Sequence, residues 1–257
     1  MQATVNMRLS GKEAQLLAWA QMREVRCVGR ETLRQALRLG GAEASKLLAR
    51  MNRRGLIVQL QRGLYLLPTK LPPGGRWQPQ AETALYYFLQ HKRACWQETG
   101  PGAFQWHGLS EQMANVLTVY NDRVSDTRRF GKQEVRLIKV PANRLGHKRI
   151  LPLKEEEPVE RRIGSLARVV FDAVYDHSRF GTLPRAYKWI GERAKEAGFV
   201  DELVACALEH GNVASCRRIG WALDTGRGAG ASGRAVNRLT KTLRSTQSAI
   251  AVDPTRP

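Results

Sequence analysis

Lys46, Arg50, Arg53, Arg54 and Arg62 crowd one short stretch of the chain, with Ser45 beside them. Guanidinium and ammonium groups at that density suit the binding of a polyanion. They pair with phosphate oxygens, and Arg and Lys also reach the guanine edge in a DNA major groove. A second set able to do chemistry is Asp172 and Asp176, four residues apart, with His177 next to the second. Two carboxylates on one helix face can hold a divalent cation for phosphodiester hydrolysis. The same spacing also fits a polar helix face neutralised by Arg168 and Arg179, and no further acidic residue gathers near it, so the sequence favours the second account. His91, His107, His147, His177 and His210 have no metal-ligand spacing. Cys27, Cys95, Cys206 and Cys216 form no C-x-x-C pair and read as buried thiols. No cofactor, metal site or catalytic group is expected.

The basic stretch needs an element to present it. Ala44, Leu47, Leu48 and Met51 recur at helical spacing, so a helix from about 42 to 54 turns them to a core and sets Lys46, Arg50 and Arg53 on the opposite side. Gly55 stops it. "LIVQLQRGLYLL" then alternates with period two around Arg62-Gly63, which reads as a hairpin with a basic turn. Upstream, Ser10 and Glu13 fit a capping box opening a helix from about 12 to 23. "RETLRQALRLGG" gives a short second helix, ended by Gly40-Gly41. Three helices followed by a hairpin describe a winged helix-turn-helix, whose third helix fits the major groove. Ser45 and Lys46, early in that helix, are placed to read bases. Arg50, Arg53 and Arg54, with Arg62 on the wing, are placed to hold phosphates. Glu43 shares the face and repels phosphate unless it meets a cytosine amine or a neighbouring base. Tyr65 suits either a ribose or the hairpin's own packing.

Bulk charge agrees. The 257 residues carry a net +19 with 42% hydrophobic content, a globular composition with a polyanionic partner. Residues 1–70 hold 13 Lys/Arg against 4 Asp/Glu, a net +9, so the first part is the denser pole. No run of eighteen apolar residues exists, which excludes a bilayer span, and no apolar leader opens the chain, so a cytoplasmic protein is expected.

"PTKLPPGGRWQPQ" carries four prolines and two glycines and marks a joint. The expected organisation is a winged helix over 1–70, a linker over 71–80, a C-terminal domain over 81–225 and a basic glycine-rich tail over 226–257. In the C-terminal domain a helix at "QAETALYYFLQHK" precedes strands at "ANVLTVYN", "QEVRLIKVP" and "RILPL". "DTRRFGK" is read as a connection, and the chain as helical from Pro158 onward. Strands first and helices after give an α+β class. "GRGAGASG" has no preceding strand and no G-K-[ST] ending, so it reads as a linker and not a phosphate loop. A basic helix follows at about 234–244.

"SKLLARMNRRGLIVQLQRGLYLLP" with its proline-rich joint resembles the N-terminal domain of AbiEi-type antitoxins, from bacterial type IV toxin–antitoxin systems. "WHGLSEQMANVLTVYN", "QEVRLIKVP", "VERRIGSLARVVFDAVYD" and "GNVASCRRIGWALDTG" extend the resemblance over about residues 10–225. Arg161-Arg162-Ile163 departs from the family's Glu-Arg-Ala core. The resemblance implies a protein that binds inverted repeats in its own promoter and represses transcription. It implies that the C-terminal domain counters a nucleotidyltransferase-type toxin without a stable complex. The DNA-binding role falls on Ser45, Lys46, Arg50, Arg53, Arg54 and Arg62; no antitoxic residue carries over, and Arg217-Arg218 fit a solvated face better. Two alternatives stay open: a plain winged-helix regulator with a ligand- or partner-sensing C-terminal domain, and a nuclease using Asp172 and Asp176.

Overall fold

The computed structural model describes residues 9–72, 75–154, 157–225 and 233–243. The glycine-rich stretch 226–232 and residues 244–257 of the expected tail lie outside these, as do Glu155 and Glu156. The chain is α+β and divides into two compact units, one running to Arg93 and taking in Arg129–Gln133, the other holding Ala94–Arg128 and the chain from Glu134.

In the first unit the order is α1 (Gly11–Met22), β1 (Cys27–Gly29), α2 (Arg30–Leu37), α3 (Gly41–Arg53), β2 (Val58–Gln61), β3 (Leu64–Leu66) and α4 (Ala81–His91). The Ser10–Glu13 capping box starts α1 as its sequence requires. The glycine pair does not end α2. Arg38 takes the left-handed cap at φ 51°, and Gly40 and Gly41 serve as N-cap and first residue of α3. The three strands form an antiparallel sheet in the order β1-β3-β2. The three residues of β1 carry too little pattern to be seen as a strand until they pair with β3. Leu16, Leu33, Leu47, Leu48, Met51 and Ile57 close one apolar core, with Tyr65 packed against it. The joint docks on its own unit, since the Trp77 N–H donates to the Gly55 carbonyl at 2.8 Å. The helix α4, expected at the start of the C-terminal domain, clusters with this first unit.

The second unit opens with β4 (Trp96–Thr99), α5 (Gly100–Trp106), β5 (Val116–Asn121), then β6 (Asp126–Phe130) and β7 (Gln133–Lys139), whose joined ends at Arg129–Gln133 cluster with the first unit, and β8 (Lys148–Lys154) and β9 (Glu157–Gly164). Helices α6 (Leu166–Tyr175), α7 (His177–Phe180), α8 (Arg185–Arg193), α9 (Phe199–His210), α10 (Val213–Thr225) and α11 (Gly233–Leu243) follow. The strands make one mixed sheet, β6-β7-β5-β4-β9-β8, with β4 parallel to β9 and β5 parallel to β7. Two segments depart from the expectation. "DTRRF" is not a connection but the edge strand β6, exposed over most of its length with only Phe130 buried, so it shows no apolar alternation. Residues 157–164 are a strand where a helix was expected. Val159 and Ile163 are buried on one face of β9, and Arg161 between them pairs with Glu98, so period two was hidden by a charged residue facing inward. The true helix start is Ser165, whose Oγ accepts the Arg168 N–H. Of the cysteines, Cys206 and Cys216 are buried and Cys27 half-buried, but Cys95 is exposed, against the expectation of buried thiols. No helix among the described residues is long and apolar enough to cross a membrane.

The centre of this unit is polar as well as apolar. Arg168 and Asp172, both fully buried on α6, pair at 3.0 Å, and the Thr99 hydroxyl donates to the other Asp172 oxygen at 2.7 Å. Arg168 also donates to the carbonyls of Arg144 at 2.5 Å and Gly146 at 3.4 Å, tying the loop before β8 to α6. Asp176 accepts a hydrogen bond from the Tyr120 hydroxyl. The two aspartates therefore do not form a site open to a cation and phosphodiester. Asp172 is committed to Arg168, and the partner of Asp176 is Tyr120, where Arg179 had been expected.

Candidate nucleic-acid interface

Successive residues of α3 are turned by about 100°, so its four buried residues leave a wide outward face. Lys46 and Arg53 stand near the middle of that face, with the exposed Ala42 and Ala49 between and beside them and exposed Ser45 on the flank toward the hairpin. Two alanines there keep the strip low enough for the helix to approach another surface closely. Lys46, Arg53 and, at the hairpin turn, Arg62 make no hydrogen bond or ion pair among the described residues, and all three are exposed. Gly63, at φ 82°, supplies the left-handed residue that the turn demands beside Arg62. Asn52 fixes the hairpin against the helix, since its Oδ1 accepts the Gln59 N–H at 3.0 Å. Ser45 donates its hydroxyl to the Gly41 carbonyl at 3.0 Å, leaving its oxygen lone pairs outward as acceptors. Arg30, Glu31, Ser45, Gln59, Arg62 and Tyr65 line a groove between α2, α3 and the hairpin, with Glu31 paired to Arg34 at 2.9 Å.

Arg50 and Arg54 sit differently. Glu13 on α1 is fully buried, and its two oxygens take Arg50 Nε at 3.1 Å and Arg54 Nη1 at 2.5 Å. Arg50 also donates to the Ser10 hydroxyl at 3.3 Å. Two of the expected phosphate holders are thus held at the α1–α3 seam, and the carboxylate they share is the same one that completes the capping box. The 37- and 41-residue separations gave no sign of this in the sequence. Glu43, the acid that threatened the basic face, is neutralised by Lys12 of α1.

Burial raises the Glu13 carboxyl pKa, but the Ser10 N–H, Arg54 and Arg50 outweigh that and hold it below the ordinary value of 4.5. A folded pKa below the unfolded one contributes stability that is complete above 4.5 and disappears as pH falls through the folded pKa. Glu13→Gln is expected to cost about 2 kcal/mol at pH 7, from lost charge-assisted bonds and a weakened cap. The difference from the parent should shrink as urea unfolding is repeated at progressively lower pH through that range.

Comparison with known proteins adds the fold and nothing further. No family model and no curated protein matches the chain. The solved structure of Rv2827c from Mycobacterium tuberculosis is similar, with TM-score 0.58 and 13% identity, covering 96% of this chain and 86% of that one.

Proposed function

We propose that the chain is a double-stranded DNA-binding protein of the winged helix-turn-helix kind that represses its own promoter. The observation that carries this reading is the strip on α3, where Lys46 and Arg53 are exposed beside two alanines and a serine while the two nearby acids, Glu43 and Glu31, are paired with Lys12 and Arg34. The order α1-β1-α2-α3-β2-β3 with its β1-β3-β2 sheet supports it, because that arrangement lets α3 enter a major groove while the Arg62 turn follows the adjacent backbone. The base readers are Ser45 and Lys46. The phosphate holders are Arg53 and Arg62, and Arg50 and Arg54 chiefly fix the angle of α3 through Glu13.

The resemblance to AbiEi-type antitoxins extends the proposal. The protein acts in the cytoplasm on inverted repeats upstream of its gene, and its second unit counters a nucleotidyltransferase-type toxin without a lasting complex. No reaction is assigned to it. Growth rescue tests that half: the full chain should restore growth to cells expressing the toxic neighbouring gene. Failure, with the neighbour shown to be toxic, leaves a plain regulator. For the DNA half, Lys46→Ala should lower discrimination between the native repeat and a single-base variant by about 1–3 kcal/mol. Competition binding at fixed salt reads this, and unchanged discrimination would remove Lys46 from the base readers.

A further inference from the structure

The histidines that have no ligand spacing in the sequence do not stay apart in the fold. His147, in the loop before β8, meets Glu209 and His210 at the C-terminal end of α9, and ligand atoms of the three lie within 4.8 Å of one another. Each imidazole is oriented by an oxygen on its far side. His210 Nδ1 lies 2.7 Å from the Asn143 carbonyl, which accepts its proton and leaves Nε2 as a bare lone pair. His147 Nδ1 lies 3.5 Å from a Glu202 oxygen, itself accepting from the Ser165 hydroxyl at 2.6 Å. Both Nε2 atoms then face Glu209, at 3.1 Å from His147 and 3.7 Å from His210. Ligand atoms on a tetrahedron with bonds of about 2.0–2.1 Å stand about 3.3 Å apart, and these two spacings fall on either side of that value.

A second observation is independent of the clustering. His210 is 4% exposed, and its Nε2 is buried with no hydrogen-bond partner. A buried imidazole lone pair without a donor is unfavourable unless something else takes it. Gly146 leaves the space in front of that atom, since a Cβ there would stand 3.0 Å from Nε2. Arg168, buried beneath, holds the Arg144 and Gly146 carbonyls and so fixes the loop that carries His147.

We propose that His147, Glu209 and His210 form a binding site for a borderline divalent transition-metal ion, zinc above all, that clamps the loop before β8 to the end of α9. Two imidazoles and a carboxylate are the donor set that such ions prefer over magnesium or calcium, which take oxygen alone. Neighbouring groups prepare the ligands. The oxygens behind the two rings, from Asn143 and Glu202, match the way ligating histidines are held.

The test uses the full chain, stripped with chelator and titrated calorimetrically with zinc alone, then with cobalt(II) alone followed by its visible absorption. One equivalent should bind, and the thermal midpoint should rise with zinc. Glu209→Gln should weaken binding by more than about tenfold, as should His147→Asn, which suits the left-handed φ of 50° at that position. Gly146→Ala keeps every ligand and should weaken binding comparably by filling the space before Nε2. His91, His107 and His177 remain in all three variants, so adventitious surface binding would persist in them. Absence of binding by the parent, or parental affinity in the three variants, would overturn the site.

Discussion

Asp172→Ala should destabilise the second unit by about 3–5 kcal/mol, read from urea unfolding of the full chain. The carboxylate itself is poorly placed for stability, because burial raises its pKa and Arg168 only opposes that rise. The damage comes from what is left behind. Arg168 is fully buried, and without Asp172 its guanidinium retains backbone carbonyls and the Phe171 ring in a medium that solvates charge badly. An apolar replacement of both partners, Arg168→Met with Asp172→Leu, should therefore cost less than Asp172→Ala alone, which is the signature of a buried pair whose value lies in mutual compensation. A double variant worse than the single one would show that the pair is a net stabiliser through its own geometry. Because Arg168 also holds the Arg144 and Gly146 carbonyls, losing Asp172 should loosen the His147 loop and weaken zinc uptake in the same protein.

The combined change Lys46→Ala, Arg53→Ala, Arg62→Ala should raise the dissociation constant for DNA at least about a hundredfold at physiological salt, with the slope of log affinity against log salt shallower by about 2–3. Among the described residues these three cations have no partner, so their removal leaves the ion pairs described above intact. Arg50→Ala with Arg54→Ala makes the opposite kind of change. It strips both arginines from buried Glu13, leaving only the Ser10 cap, so it should show first as lost thermal stability and only second as weaker DNA binding. A sequence reading that treats all five basic residues alike would predict the larger DNA effect from either set. Equal DNA affinity of the triple variant and the parent would take α3 and its hairpin out of the interface.

The contrast between Arg53 and Arg50 shows where the sequence was legible. Apolar spacing at Ala44, Leu47, Leu48 and Met51 gave α3 and its outward face, because a helix must bury one stripe and the period is in the sequence. Ser10 and Glu13 gave the start of α1 for the same reason, since a capping box acts within three residues. What Glu13 does with its other oxygen depends on residues on α3, and no local pattern encodes that. The same limit hid β9, where inward-facing Arg161 broke the alternation and only its pairing with Glu98 makes a charge acceptable there. It hid the histidine cluster too: Glu209 and His210 are adjacent, but His147 arrives across 62 residues, from the loop before β8. The end of α2 failed differently. A Gly-Gly pair after an amphipathic run signals a stop, whereas Arg38 adopts the left-handed cap and the glycines open the next helix.

The most direct test of the central proposal is fluorescence anisotropy of the full chain on the DNA upstream of its own gene, against a shuffled fragment of equal length, both at physiological salt. The account predicts binding at least about a thousandfold tighter to the upstream fragment, the range that separates specific from non-specific recognition. Equal affinity for the two fragments would contradict it, and would reduce the basic face of α3 to non-specific attraction.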